Sequence, residues 1–164
     1  RRAMLAGSPR AANLLRSGQF RAGWVRRGVI RQQALRQSCR QLIETFKIKA
    51  SGAQQKIKFL SGGNQQKVIL AREVSADPEL ILAAQPTRGL DIGAIEYIHK
   101  LLLELRDQGK GILLISAELP EIMKLSDRIA VLYEGEIRAL GPAEEFTQEE
   151  LGLLMAGRER GEAS

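Results

Sequence analysis

Ser61-Gly62-Gly63-Asn64-Gln65 is the stretch of this chain whose residue types could do chemistry together. Two glycines let backbone N–H groups approach a ligand closely, and a helix starting there favours negative charge. Ser61 adds a hydroxyl donor, and the amides of Asn64 or Gln65 have the reach for a ribose or phosphate oxygen. The chemistry would be phosphate binding. A Ser-Gly-Gly triplet alone is weak evidence, more often simply a loop before a helix, so its meaning depends on what surrounds it.

The surrounding pattern supplies elements that could position such a turn. Over 29–46 the apolar residues Ile30, Ala34, Leu35, Leu42, Ile43 and Phe46 fall at helical spacing. Residues 47–59 form a connector rich in Lys and Gln, and a helix is predicted over 64–75, ended by Asp77-Pro78. The short apolar run 79–84 predicts a strand buried on both faces. A helix over 93–107 closed by Gly109, a second apolar run over 112–116 and a short helix over 119–125 follow. A hairpin is expected from 129–133 and 136–140, turning at Glu134-Gly135. Residues 1–28 read as loop and short helix. Strands alternating with helices predict an α/β sheet with crossover connections.

Composition sets outer bounds. The 164 residues suit one domain, 44% hydrophobic and 27% charged. No apolar run approaches the roughly 20 residues that span a bilayer. Cys39 is the single cysteine and cannot form an internal disulfide, which fits a reducing compartment. The net charge of +6 is uneven: up to Lys58 there are ten Arg and four Lys against Glu44 alone. Such a region could touch nucleic acid or an anionic membrane, or be a solvated helical face. Few aromatics (Phe20, Trp24, Phe46 and Phe59) lie in or beside it to stack on bases. The chain opens Arg1-Arg2-Ala3 without an initiator Met, which reads as a processed, truncated or fragmentary sequence.

Leu60-Ser61-Gly62-Gly63-Asn64-Gln65-Gln66-Lys67 resembles the signature motif of ABC-type ATPases, and the order of segments behind it strengthens the likeness. A strand ending at Ala84-Gln85 is followed by Pro86-Thr87-Arg88-Gly89-Leu90-Asp91, similar to the family's Pro-Thr and D-loop segment. Ile115-Ser116-Ala117-Glu118 resembles the segment that carries the family's switch histidine, and 127–137 with Gly141-Pro142 resembles its closing strands. The likeness runs over roughly 29–157. Asn64-Gln65-Gln66-Lys67, Pro-Thr-Arg-Gly-Leu-Asp and the ending 150–157 resemble the second ATPase half of simple-sugar and nucleoside importers, with Ala-Ala-Gln-Pro-Thr closer to the nucleoside type. The implied fold is a partial P-loop NTPase, α/β and mainly parallel. The expected organisation is a helical subdomain over 1–75, a partial core over 76–142 and a helical tail over 143–164. The missing part should leave an exposed sheet edge, an uncovered apolar face and a chain that is marginally stable alone.

Three positions depart from the family's pattern. Ala84 stands where an Asp helps to hold Mg2+, Gln85 where a Glu polarises the attacking water, and Ala117 where a histidine contacts the γ-phosphate. Nor does the chain contain Gly-x-x-x-x-Gly-Lys-Ser/Thr. The expectation is a site without hydrolytic activity in this chain alone, no metal ligand of its own, and a signature that completes the ATP–Mg2+ site of a partner half. The resemblance implies as partners that ATPase half, a membrane permease and, indirectly, an extracytoplasmic binding protein, at the cytoplasmic face of the membrane. Nucleic acid is not an expected partner. A regulatory module that binds nucleic acid or ribosomes, or a nonfunctional remnant, is the rival reading. Asp91 is read as a contact across the ATPase dimer, Glu118 as a helix-start carboxylate, and Arg88 and Lys67 as phosphate neutralisers or members of ordinary surface pairs. His99 is read as a solvated helix residue and Cys39 as a silent thiol.

Overall fold

A computed structural model describes residues 25–26, 29–30 and 32–158. The expectation of loop and short helix over 1–28 falls outside the described residues at 1–24 (Phe20 and Trp24 included) and 27–28, as does the expected helical tail at 159–164; at Val25–Arg26 it is corrected, because those residues pair as a strand. The chain forms two compact units: one takes the described residues up to Ile81 with Thr87–Ile98, the other Leu82–Pro86 and the described residues from His99.

In the first unit a two-residue antiparallel pair, β1 (Val25–Arg26) and β2 (Val29–Ile30), precedes helix α1 (Gln32–Thr45). The helix therefore starts three residues later than its periodicity predicted, because Val29 and Ile30 are taken into strand pairing. Leu35 and Cys39 turn inward one helical turn apart and meet Ala53, with Ala34, Leu42 and Ile43 packed around them. Lys47 then adopts a left-handed φ of 47°, and Ile48 N–H donates back to Ile43 O at 2.9 Å, so the chain leaves α1 through a helix-ending turn. A 3-10 turn, Ile57–Phe59, leads into helix α2 (Gly62–Val74), which begins at the paired glycines rather than after them.

Strand β3 (Leu80–Ala84) does not have two covered faces. Ile81 and Ala83 are buried, whereas Leu80, Leu82 and Ala84 are exposed. A continuous apolar run permits burial on both sides but does not supply the second covering layer. Helix α3 (Ile92–Asp107) ends at Gly109, whose φ of 84° suits a glycine. In the second unit β4 (Gly111–Ile115) is the hydrogen-bonded neighbour of β3. Gln85 N–H donates to Ile115 O at 2.7 Å, so the strands' C-terminal ends lie together and the pair runs parallel. A crossover of α3's length is what a parallel pair requires.

Helix α4 (Leu119–Leu125) leads to β5 (Arg128–Tyr133) and β6 (Glu136–Pro142), an antiparallel hairpin turning at Glu134-Gly135 as expected. Both turn residues have positive φ, 49° and 84°, the handedness that suits twisted strands. A 3-10 turn (Ala143–Glu145) and α5 (Gln148–Met155) close the unit. Thr147 and Glu150 form a reciprocal capping box that starts α5. Ile129 and Val131 bury one hairpin face against Phe146, Leu151 and Leu154, with Leu119 and Ile122 packed on that cluster. The opposite face leaves Leu132, Ile137 and Leu140 at least 60% exposed.

Candidate functional site

Ser61 is the N-cap of α2. Its Oγ accepts from the Asn64 backbone N–H at 3.4 Å and from Asn64 Nδ2 at 2.8 Å, so its own proton stays available for donation outward. Asn64 Oδ1 accepts from Lys49 N–H at 2.7 Å, and Gln65 Nε2 donates to Leu60 O at 2.9 Å. Both amides named as ribose or phosphate contacts are therefore engaged in building the turn. The donors left at this turn are the Ser61 hydroxyl and the first-turn N–H groups of Gly62 and Gly63, which have no intrahelical acceptor. Ser61 and Gly62 are exposed and Gly63 is buried.

Gly63 is a glycine for a steric reason. A Cβ there would lie 2.7 Å from the Ala94 Cβ and 3.5 Å from Asp91 Oδ2, while one on Gly62 would lie 3.4 Å from Leu90 Cδ2. The start of α2 thus packs directly on the start of α3. Asp91 fixes that second start: its Oδ1 accepts from Ala94 N–H at 2.9 Å. An Asp at the start of a helix is a capping signal in its own right, and the dimer-contact reading passed over it. The carboxylate is exposed as well as capping. Arg88 is exposed beside Gly89, whose φ is 72°.

Lys67 is engaged within its own unit. Its Nζ donates to Lys47 O at 3.3 Å and sits 4.1 Å from the centre of the Tyr97 ring. It ties the turn after α1 to α2 and α3 within the first unit. Burial, then the charge of Lys49, holds its pKa below the ordinary lysine value, with a smaller push from Lys47 and an opposing pull from Asp91.

The departing positions lie in the second unit. Ala84 and Ala117 are exposed; Gln85 has a left-handed φ of 48°. Ser116 Oγ accepts from Glu118 N–H at 3.0 Å, and Glu118 stands at the N-cap of α4 as a helix-start residue. No side chain at these three places is a carboxylate or an imidazole. Ala84 gives Mg2+ no oxygen, so these residues do not fit the ion and no chemical step runs through it here.

His99 corrects the sequence reading. It is 8% exposed rather than solvated, and its Nε2 lies 3.1 Å from Oε1 of the buried Glu121. The signal was present in the spacing: Ile95, Ile98, His99 and Leu102 mark one face of a helix, and His99 belongs to it. Glu121 carries no such signal, because a charged residue in a short helix reads as surface. Cys39 is 1% exposed in the apolar core, as an inert thiol would be.

The order of elements together with this turn defines a class, the ABC-type ATPase domain of the P-loop NTPase fold. An ATP-binding cassette solved as a dimer in a post-hydrolysis state with ADP and phosphate superposes with a TM-score of 0.69 at 26% identity, covering 87% of this chain and 60% of that one. An inward-facing metal-chelate-type ABC transporter shares the fold at a TM-score of 0.74 and 16% identity. No family model matches the chain.

Among curated proteins, the guanosine import ATP-binding protein NupO of Bacillus subtilis is 54% identical over 127 residues, 77% of this chain and 25% of that protein. The nucleoside import ATP-binding protein NupA of Lactococcus lactis is 52% identical over 118 residues, 72% of this chain and 23% of that protein. A ribose import ATP-binding protein of Caldanaerobacter subterraneus is 47% identical over 119 residues, 73% of this chain and 24% of that protein. The chain is a homologue of the ATP-binding proteins of sugar and nucleoside importers, and it spans about a quarter of their length.

Proposed function

We propose that this chain is the signature-bearing part of the second ATPase half of an ABC importer, completing in trans the ATP site of a partner half and not hydrolysing ATP itself. The observation that carries the reading is the first turn of α2. An exposed Ser61 hydroxyl and the first-turn N–H groups of Gly62 and Gly63 stand at the start of a 13-residue helix, where a phosphate is favoured. Ala84, Gln85 and Ala117 disable only the site of this half. ATP carries Mg2+ to the assembled dimer, where its protein ligands come from the partner half.

The imported molecule in this reading is a nucleoside or a simple sugar, the two classes for which the relatives are named. The partners follow from the same likeness: the other ATPase half, a membrane permease and an extracytoplasmic binding protein. The chain then works peripherally, at the cytoplasmic face. Among the described residues no helix is long and apolar enough to cross a membrane.

The test is ATP turnover of the full-length protein assembled with its permease, with and without Gly62→Asp. A carboxylate there repels the γ-phosphate and obstructs the backbone approach. Loss of nearly all turnover is expected. Unchanged turnover would mean that the signature is idle and the reading wrong.

A further inference from the structure

Lys67 is a lysine whose amine is held in place among other amines. It stands one helical turn beyond Asn64 on α2, and two bonds pin the segment after α1 to that turn. Lys49 N–H donates to Asn64 Oδ1 at 2.7 Å, and Lys67 Nζ donates to Lys47 O at 3.3 Å. The Tyr97 ring lies below the same amine, its centre 4.1 Å from Nζ. Lys67 is half-buried, whereas Lys47 and Lys49 are exposed. Three amines thus gather within the first unit, with the Asp91 carboxylate as the opposing charge.

A neutral amine, not an ammonium, is the nucleophile, and desolvation beside other cations is what activates a lysine. Burial first, then the charge of Lys49, lowers the Lys67 pKa, so more of its amine is neutral than in an ordinary lysine. The neutral amine keeps two hydrogens, one of them for the Lys47 carbonyl, and has a lone pair to spend. The exposed Lys47 and Lys49 ammoniums draw in anions and so concentrate an acyl donor that carries negative charge. We propose that Lys67 is a site of acylation by acyl phosphates, with Lys47 and Lys49 attracting the phosphate group and the anchored Lys67 amine attacking the carbonyl carbon. A C–N bond forms as the bond from that carbon to the phosphate oxygen breaks. Inorganic phosphate leaves with the electron pair, and the proton released from nitrogen passes to water. The product is a neutral amide, which takes the cation off the Tyr97 ring and sets an acyl group where the turn after α1 meets α2. The reaction requires no partner ATP site, so it stands or falls apart from the trans-signature reading.

The test uses the full-length protein assembled with its permease, free of nucleotide, and two probes, acetyl phosphate and the uncharged phenyl acetate. Labelling at each lysine is followed in time by peptide mass spectrometry. With acetyl phosphate Lys67 should be acetylated several-fold faster than Lys100, although the Lys100 side chain is 79% exposed. Lys49→Gln keeps the backbone bond to Asn64 and removes the charge. It should slow labelling of Lys67 by acetyl phosphate several-fold and by phenyl acetate less, because only the first probe is steered by charge. A rate at Lys67 equal to or below that at Lys100 would overturn the site, since exposure alone would then rank the two. Labelling of Lys67 by acetyl phosphate that is indifferent to Lys49→Gln, or slowed equally with both probes, would overturn the phosphate-attracting role.

Discussion

At the scale of single residues, the close approach of Gly63 to Ala94 sets a sharp expectation. Gly63→Ala places one methyl 2.7 Å from another with backbone behind each, so the helices must separate. The cost should be about 1–3 kcal/mol, read from chemical denaturation of the full-length protein, and Ala94→Gly in the same chain should recover part of it. Lys67 gives a pH-dependent expectation. Burial and the neighbouring Lys49 disfavour its ammonium in the fold, so the unfolded chain holds that proton more tightly. The penalty is complete below the lowered folded-state pKa. It is relieved as pH rises through that value toward the ordinary lysine value of about 10.4. Lys67→Met should remove this alkaline rise from a series of urea midpoints, and Lys67→Arg, charged throughout, should shift the penalty without restoring the rise. Of these residues the sequence placed the helix start at the Ser61-Gly62-Gly63 turn to within two residues, because serine and paired glycines suit a helix N-terminus. It could not show that Asn64 and Gln65 spend their amides on Lys49 and Leu60, since those bonds join segments that meet only after folding.

At the scale of elements, boundaries were readable wherever a local device sets them. The Glu134-Gly135 hairpin turn, the Gly109 helix end and the stop at Asp77-Pro78 each rest on one or two residues whose backbone needs are stated by their type. Positions fixed by distant partners were not readable. The β1–β2 pair displaced the start of α1, and His99 found Glu121 across two helices of the second unit. Asp91 is a local device read for another purpose. Asp91→Ala should cost about 1 kcal/mol through loss of the α3 cap, measured as a lower denaturation midpoint. Asp91→Asn keeps a capping oxygen and should recover most of the loss. If activity of the assembled protein falls in Asp91→Asn while stability does not, the carboxylate has a use beyond the cap.

At the scale of the whole molecule, the exposed apolar side chains govern behaviour in solution. In the second unit Leu132 pairs across the hairpin with Ile137, and Leu140 with Ala130, all on the face away from the buried cluster. Leu82, Leu113 and Ile115 are exposed on its other strands. The fold class was legible because motifs came in order, whereas which faces lack a cover depends on what else is packed there. The 164-residue chain alone should self-associate with rising concentration, seen by light scattering. Leu132→Lys with Leu140→Lys should reduce that association without lowering the midpoint of unfolding. One further consequence belongs to the contact between Gly63 and Ala94. The room that admits the signature turn is held in common, and half of its lease belongs to a residue outside the motif. Drift of Ala94 to valine would evict the turn from its seat while every letter of Leu-Ser-Gly-Gly stayed in place, so a copy can lose its signature and still spell it.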